Sequence, residues 1–312
     1  MGQRPGSLES MEINMKHVLI TGGTGFIGRH VTAEFLRRGY DVTVISKESK
    51  LPEQPGLNSV NLDLLNENAV CDFMAKNRFE QMLHLAWYIG PKCHIDNINF
   101  AWLQASVNLL RAFAQNGGRK FLGAGTVSEY DFSHGWLRED QTPLDNPSQH
   151  GQCKAALYRT ADVFCHQNGI DFKWARMFNL YGPYERPARL MPSVINAMLK
   201  GEDVKVSDCR KFQDYLHVSD TARGVADLFE SNFSGAVNIC SASPVCLRKI
   251  VETIAELTAF KGKILWGAIP SSFEDPLVAG TNQRLREIGW QQQLSLEQGL
   301  QQTINWWREH NV

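Results

Sequence analysis

The sequence predicts an α/β fold, a doubly wound parallel sheet followed by a smaller, more helical C-terminal lobe. Three observations carry this. A glycine cluster, Thr21-Gly22-Gly23-Thr24-Gly25-Phe26-Ile27-Gly28, separates a short apolar run from an amphipathic helical pattern. Strand and helix signals then alternate as far as Met177, the rhythm of βαβ units whose parallel sheet is covered on both faces. After Tyr181-Gly182-Pro183 the pattern changes, and helices are separated only by short strand-like pieces.

Val18–Thr21 reads as the first strand and Arg29–Arg38 as the first helix, closed by Gly39. In that helix Val31, Phe35 and Leu36 share one side, with Arg29, Glu34 and Arg37 on the other, the spacing of a half-buried helix. Val42–Ile45 and Val60–Leu62 read as the next strands, followed by a helix over 67–76. Gln81–Ala86 is a fourth strand. A long helix spans 97–114, stopped by Gly117 and Gly118. Lys120–Ala124 is a fifth strand. A polar, Pro-rich loop leads into a helix over 148–167, with Gly169 behind it, and Phe172–Met177 is a sixth strand. Further helices are expected at 191–200, 219–231, 247–259 and 295–310, with Trp306 and Trp307 of the last serving packing. Residues 1–14 read as a leader or loose tail, with Met15 as a candidate start. Residues 15–180 read as a dinucleotide-binding domain, to whose sheet part of the C-terminal half returns, and 181–312 mainly as a substrate-binding lobe.

The chain has 312 residues, a net charge of −1 and no basic run, so nothing in its charge argues for nucleic acid. No apolar stretch reaches the ~20 residues that span a bilayer. Its seven cysteines are scattered without a CxxC pair, which reads as reduced cytoplasmic thiols and not as a disulfide or zinc framework. No metal site is expected.

The glycine cluster has the strand–turn–helix context of an anion site. Gly22 serves the tight turn, Gly25 lets a pyrophosphate approach the backbone, and Gly28 lets the helix lie on the sheet. An acidic residue at the end of the second strand would hold the 2′-hydroxyl of NAD; Ser46 and Lys47 stand there instead. A hydroxyl and an ammonium suit a 2′-phosphate, so NADP(H) is favoured, with NAD(H) left open. Asp63 and Leu64 follow the third strand, where the adenine would sit; Asp63 alternatively caps a helix.

Taken in order, TGGTGFIG at 21–28, HLAW at 84–87, GTVSEYD at 125–131, HGQCK at 150–154, RMFNLYGP at 176–183, RLMPSVI at 189–195 and DYLHVSD at 214–220 resemble the extended short-chain dehydrogenase/reductase superfamily, in its nucleotide-sugar epimerase/dehydratase branch. The resemblance covers nearly all of the chain after Met15. It implies a Rossmann sheet and hydride transfer between a nicotinamide and a sugar carbon. It also implies a homodimer formed through the two long helices, a small-molecule nucleotide-sugar substrate, and no nucleic-acid or membrane partner. By this resemblance Thr24, Phe26 and Ile27 join the glycines around the cofactor, and Leu85, Ala86 and Trp87 lie near the nicotinamide. Tyr88, Thr126, Asn179, Arg189 and Arg210 are its substrate candidates.

In the family a Tyr acts as acid/base, a Lys one helical turn on holds the ribose, and a Ser or Thr hydroxyl shares the sugar oxygen. Thr126 matches the hydroxyl and Lys154 the lysine. His150 stands where the tyrosine belongs, and Lys154 beside it favours its neutral ring. His150 either replaces the tyrosine, or yields its role to Tyr130 or Tyr88, or marks lost catalysis. Sugar dehydratases of the family place Asp-Glu directly after the hydroxyl residue. Here Val127 and Ser128 stand there, and Glu129 is expected to point away. Gln213 replaces an arginine that grips the diphosphate, leaving Arg189, Arg210 or Lys211 for that charge. His84 reads as a satisfied core histidine, and Cys153 faces away from His150. The sequence thus points to an NADPH-dependent reductase of a nucleotide-linked keto-deoxysugar. A 4-epimerase or a cofactor-binding protein without turnover are its rivals.

Overall fold

The computed structural model describes residues 16–90, 92–271 and 276–310; the leader and Met15 lie outside the described residues. Seven parallel strands form the central sheet: β1 (Lys16–Thr21), β2 (Tyr40–Ser46), β3 (Leu57–Asn61), β4 (Gln81–His84), β5 (Lys120–Thr126), β6 (Asp171–Met177) and β7 (Gly235–Ile239). Their spatial order is β7-β6-β5-β4-β1-β2-β3. Strands covered on both faces read as apolar runs, and Val18, Leu19 and Ile20 of β1 are wholly buried. The chain runs outward from β1 in both directions, so a crevice opens at the carboxyl ends of β1 and β4, where a ligand of such a sheet binds.

The longer helices are α1 (Phe26–Arg37), α2 (Glu67–Lys76), α3 (Ile98–Gln115), α4 (Gln149–Gln167), α5 (Leu190–Leu199), α6 (Val218–Glu230), α7 (Leu247–Thr258) and α8 (Leu296–His310). Helices α1 and α6 cover one face, where Val31 and Phe35 meet Val225 and Phe229 in one core. Helices α2, α3 and α4 cover the other, through Met74, Phe113, Leu157 and their neighbours. A third core joins α5, α7 and α8 around Ile195, Ile254 and Ile304. Short strands Asn179–Tyr181 and Tyr215–His217 pair beside it. Among the described residues no helix is long and apolar enough to cross a membrane.

Helix α1 begins at Phe26, a turn earlier than the amphipathic pattern suggests, because the glycine turn ends at Gly25 and the backbone enters the helix there. Glu34, expected on the polar side, is 9% exposed. Its carboxylate takes hydrogen bonds from Arg37 and Arg38, and Arg38 also reaches Asp227 and Glu230 on α6. This charge network glues α1 to α6. Strand β4 leaves the ladder at His84, although Leu85 N still donates to Thr21 O at 3.1 Å. Tyr184 follows the sixth strand in a left-handed conformation (φ 69°), costly for an aromatic residue. The turn sends its ring outward onto Arg29, 3.8 Å from the ring centre, and onto Trp306 of α8, 4.7 Å between ring centres.

Candidate functional site

The glycine turn is built by close approach. A Cβ on Gly28 would lie 2.0 Å from Gly22 O, and one on Gly22 would lie 2.7 Å from Ala86 N. The turn therefore rests on α1 beneath and on Leu85–Ala86 beside it. A Cβ on Gly25 would meet only Gly22 O, at 3.3 Å, so its outer side is open. Helix α1 has no side-chain cap and no acidic residue in its first turn. Its first N–H groups, around Phe26, Ile27 and Gly28, and the positive end of its dipole face that opening. A diphosphate fits this place, and the Thr24 carbonyl is already turned aside to accept from Arg29 at 3.1 Å.

At the far end of the turn, Ser49 Oγ donates to Thr24 Oγ1 at 2.8 Å, and the Ser46 hydroxyl is turned into its own loop, onto Ser49 O. Lys47 Nζ lies 3.0 Å from Asp63 Oδ2. Both groups expected to meet a 2′-phosphate thus already have partners. Asp63 is not the helix cap: that is Asn66, which accepts from Ala69 N at 3.2 Å. Leu64 behind Asp63 is buried.

Strand β5 ends at Thr126, whose hydroxyl accepts from Ser128 N at 3.2 Å and opens a single helical turn over 127–129. Helix α4 starts against that turn; a Cβ on Gly151 would fall 1.8 Å from Ser128 O. His150 occupies the first turn of α4 and Lys154 the next, both buried. Lys154 Nζ donates to Ala124 O at 2.8 Å and lies 3.9 Å from the centre of the Trp87 ring. Burial pushes its amine down to about 7, with Glu129 pulling the other way. The His150 ring stands edge-on to Trp87 and to His94, with centres 6.1 and 6.0 Å away. Burial, then the charge of Lys154, then His94 push its pKa down to about 3, so the ring is neutral. Nδ1 of His150 lies 3.3 Å from Asn99 Oδ1, which also accepts from Trp87 Nε1 at 2.9 Å.

Glu129 does leave the pocket, but through the capping turn and not by strand alternation. Its carboxylate is fully buried, accepting from Thr126 N at 2.9 Å, Trp174 Nε1 at 3.0 Å and Arg176 Nε at 2.7 Å. Tyr130 is also fully buried; its hydroxyl donates to Asn238 Oδ1 at 2.8 Å and accepts from Arg176 at 3.1 Å. Burial raises its pKa further. Tyr130 is therefore a structural residue, and the reading of it as a proton donor is corrected. His84 is satisfied on both nitrogens, by Thr21 Oγ1 at 2.7 Å and Ser106 Oγ at 2.8 Å, and ties the end of β1 to α3. The Cys153 thiol is buried and held above its ordinary pKa by that burial.

The substrate candidates do not all converge. Tyr88 is half-buried, against Gly90 in the loop after β4. Asn179 is half-buried and its backbone pairs with Tyr215. Arg189 precedes α5, 3.7 Å from the buried Glu185, and its charge reaches His94 beside His150. Arg210 is 82% exposed and 3.9 Å from Asp208, a pairing that leaves it at the surface. Sequence reasoning missed Asn99 and Glu185. The Glu185 carboxyl is raised to about 8 by burial, against the pull of Arg189, and its Oε2 is buried without a hydrogen-bond partner among the described residues. Neither residue lies in a motif; the Pro-rich spacing around Glu185 reads as ordinary loop. Among the described residues no cluster of His, Cys, Asp and Glu could hold a metal ion.

The model of the NAD dependent epimerase/dehydratase family matches residues 18–240. The chain is 27% identical to the UDP-N-acetyl-alpha-D-glucosaminuronate decarboxylase of Bacillus cytotoxicus, over 94% of this chain and 98% of that one. The structure of MoeE5 in complex with UDP-glucuronic acid and NAD superposes with a TM-score of 0.83 at 26% identity, covering 94% of this chain and 99% of the other. The UDP-glucose 4-epimerase of Thermotoga maritima shares the fold, with a TM-score of 0.86 at 21% identity over 95% of this chain and all 100% of that one.

Proposed function

The chain belongs to the NAD-dependent epimerase/dehydratase family, and on that footing we propose that it oxidises a ring hydroxyl of a nucleotide-linked sugar, with His150 accepting the hydroxyl proton. The observation that carries this is the place of His150, buried in the first turn of α4 one helical turn before Lys154. A neutral imidazole has a lone pair that can take a proton and no acidic proton to give, and the burial that keeps this ring neutral makes it a weak base. When bound, a nicotinamide dinucleotide would supply the hydride chemistry at the sugar carbon.

The residues of the chain have separable tasks in this reading. The open α1 terminus holds the diphosphate, and the Leu85–Trp87 wall and Lys154 hold the nicotinamide ribose end. The Thr126 hydroxyl orients the sugar oxygen, and His150 takes its proton. Tyr88, Asn179 and Arg189 line the substrate side, to which residues 181–312 contribute Arg189. Lys47 and Asp63 form an ion pair of zero net charge, so we propose that NAD and NADP bind with comparable affinity. The two long helices α3 and α4 form the face of a cytoplasmic homodimer.

Lys154 favours a second reading, net reduction of a keto-deoxysugar with NADPH. An ammonium that titrates at about 7 can give up a proton at ambient pH, which His150 cannot. One experiment separates the two. Purified protein is incubated with UDP-hexoses and UDP-hexuronates plus NAD, and in parallel with nucleotide 4-keto sugars plus NADPH. Epimerised or oxidised sugar in the first set supports the oxidising reading. NADPH consumption in the second alone supports reduction, and cofactor binding without turnover in either refutes both.

A further inference from the structure

The geometry points to Asn99 as the residue that fixes His150 as its Nδ1–H tautomer, leaving Nε2 as a bare proton acceptor. Asn99 Nδ2 donates to two backbone carbonyls, Cys93 O and Asp96 O, each at 2.7 Å. Asn99 Oδ1 faces Trp87 Nε1 at 2.9 Å, and an indole N–H can only donate. Three contacts therefore fix which end of the amide is oxygen. That oxygen also lies 3.3 Å from His150 Nδ1. An amide oxygen cannot donate, so the proton of this bond belongs to Nδ1. The ring is neutral, because burial, Lys154 and His94 all oppose its charge. A neutral imidazole carries one N–H only, and Nε2 is left with a lone pair.

Asn99 is itself buried at the start of α3, and its loop partners Cys93 and Asp96 belong to the segment whose His94 O accepts from His150 N at 3.4 Å. The loop after β4, the start of α3 and the start of α4 are thus locked round one ring. Asn99 acts through His150 and is a positioning residue. The inference rests on the oxidising role proposed above and gives it a direction. In the proton step the sugar O–H bond breaks and an Nε2–H bond forms. The imidazolium so made keeps its Nδ1–H on Asn99, so no neighbouring group has to turn.

The test is spectroscopic. Protein with 15N-labelled histidine rings is recorded by long-range 1H–15N correlation at neutral pH, with His150 assigned by difference against His150→Gln. The expected result is a pyrrole-type Nδ1 and a pyridine-type Nε2. Asn99→Asp, which still accepts, should keep that pattern, whereas Asn99→Leu should release the ring to the mixture of free imidazole. An Nε2–H tautomer or a doubly protonated ring in the unmodified protein overturns the inference, even if both variants fail to fold. A ring unchanged in folded Asn99→Leu overturns it too. The expected spectrum in a protein that turns over no nucleotide sugar upholds Asn99 and removes only the proposed reaction.

Discussion

The Lys154 ammonium sits 3.9 Å above the centre of the Trp87 ring and has a carbonyl, Ala124 O, as its hydrogen-bond acceptor. Neither partner carries a full charge, so burial outweighs them and the amine titrates at about 7, well below its ordinary 10.5. Only the ammonium draws in an anionic dinucleotide. Dinucleotide affinity should therefore fall as pH rises through about 7 and level off once the amine is neutral, since the α1 terminus still holds the diphosphate. Calorimetric titration across pH 6 to 9 reads this directly. Lys154→Met should bind more weakly and lose the pH slope, and an unmodified protein with a flat profile contradicts the assignment.

Removing the base should cost turnover more than binding. His150→Ala is expected to lower kcat by about 10²- to 10⁴-fold, with dinucleotide affinity changed by only a few-fold. Steady-state kinetics and fluorescence titration give the two numbers. If His150→Ala keeps full activity while His150→Tyr raises it by orders of magnitude, proton acceptance belongs to another group.

The Lys47–Asp63 pair makes cofactor choice adjustable from one residue. Asp63→Asn removes a negative charge and frees Lys47, and should shift the affinity ratio toward NADP by a few-fold at most, because the pair is exposed and screened. Ser46→Asp should shift it the other way. Ratios that stay put in both variants would show that recognition lies elsewhere.

The buried pair of Glu129 and Arg176 is a structural hazard. With 0% and 1% exposure, neither side chain has water to fall back on if the other is lost. Arg176→Leu should destabilise the fold by about 3–5 kcal/mol in urea denaturation. A loss under about 1 kcal/mol would mean that the charge finds another partner.

Acid should unfold the protein through its buried histidines. Burial lowers His84 and His150 to about 3 and His217 to about 4. Each stays neutral in the fold and takes up a proton on unfolding, so the unfolded chain binds more protons below about pH 6.5. Stability is then undiminished by these groups above pH 6.5 and is lost as pH falls toward 4, by up to about 1.4 kcal/mol per unit for each of them. Denaturation midpoints from pH 7 to 4 check the slope, and His150→Gln should reduce it by one such share.

The sheet was legible because its signals are local: Val18–Ile20 is apolar, the glycines follow, and the helix repeats at the right period. The same holds for Thr126 and Lys154, which lie in motifs of fixed spacing. Partnerships across the chain were not legible. Nothing near Lys47 announces that Asp63 will take its charge, nor does anything near Arg38 announce Asp227 and Glu230 on α6. Asn99 is invisible for the same reason: its meaning lies in Trp87, Cys93, Asp96 and His150, which come together only when two loops and two helices have packed. Tyr130 misled because a tyrosine within the motif looks available, whereas burial beside Arg176 makes it part of the frame.

The left-handed turn at Tyr184 has a consequence for how the protein comes into being. Its ring bridges Arg29, whose guanidinium holds Thr24 O in the glycine turn, to Trp306 in the last helix. Synthesis proceeds from the N-terminus, and early segments can fold before late ones appear. A loop made early is thus buttressed by side chains made near the end of the chain. A nascent chain that has not yet made α8 has its glycine turn but not this support, and the turn gains its buttress only when α8 has packed.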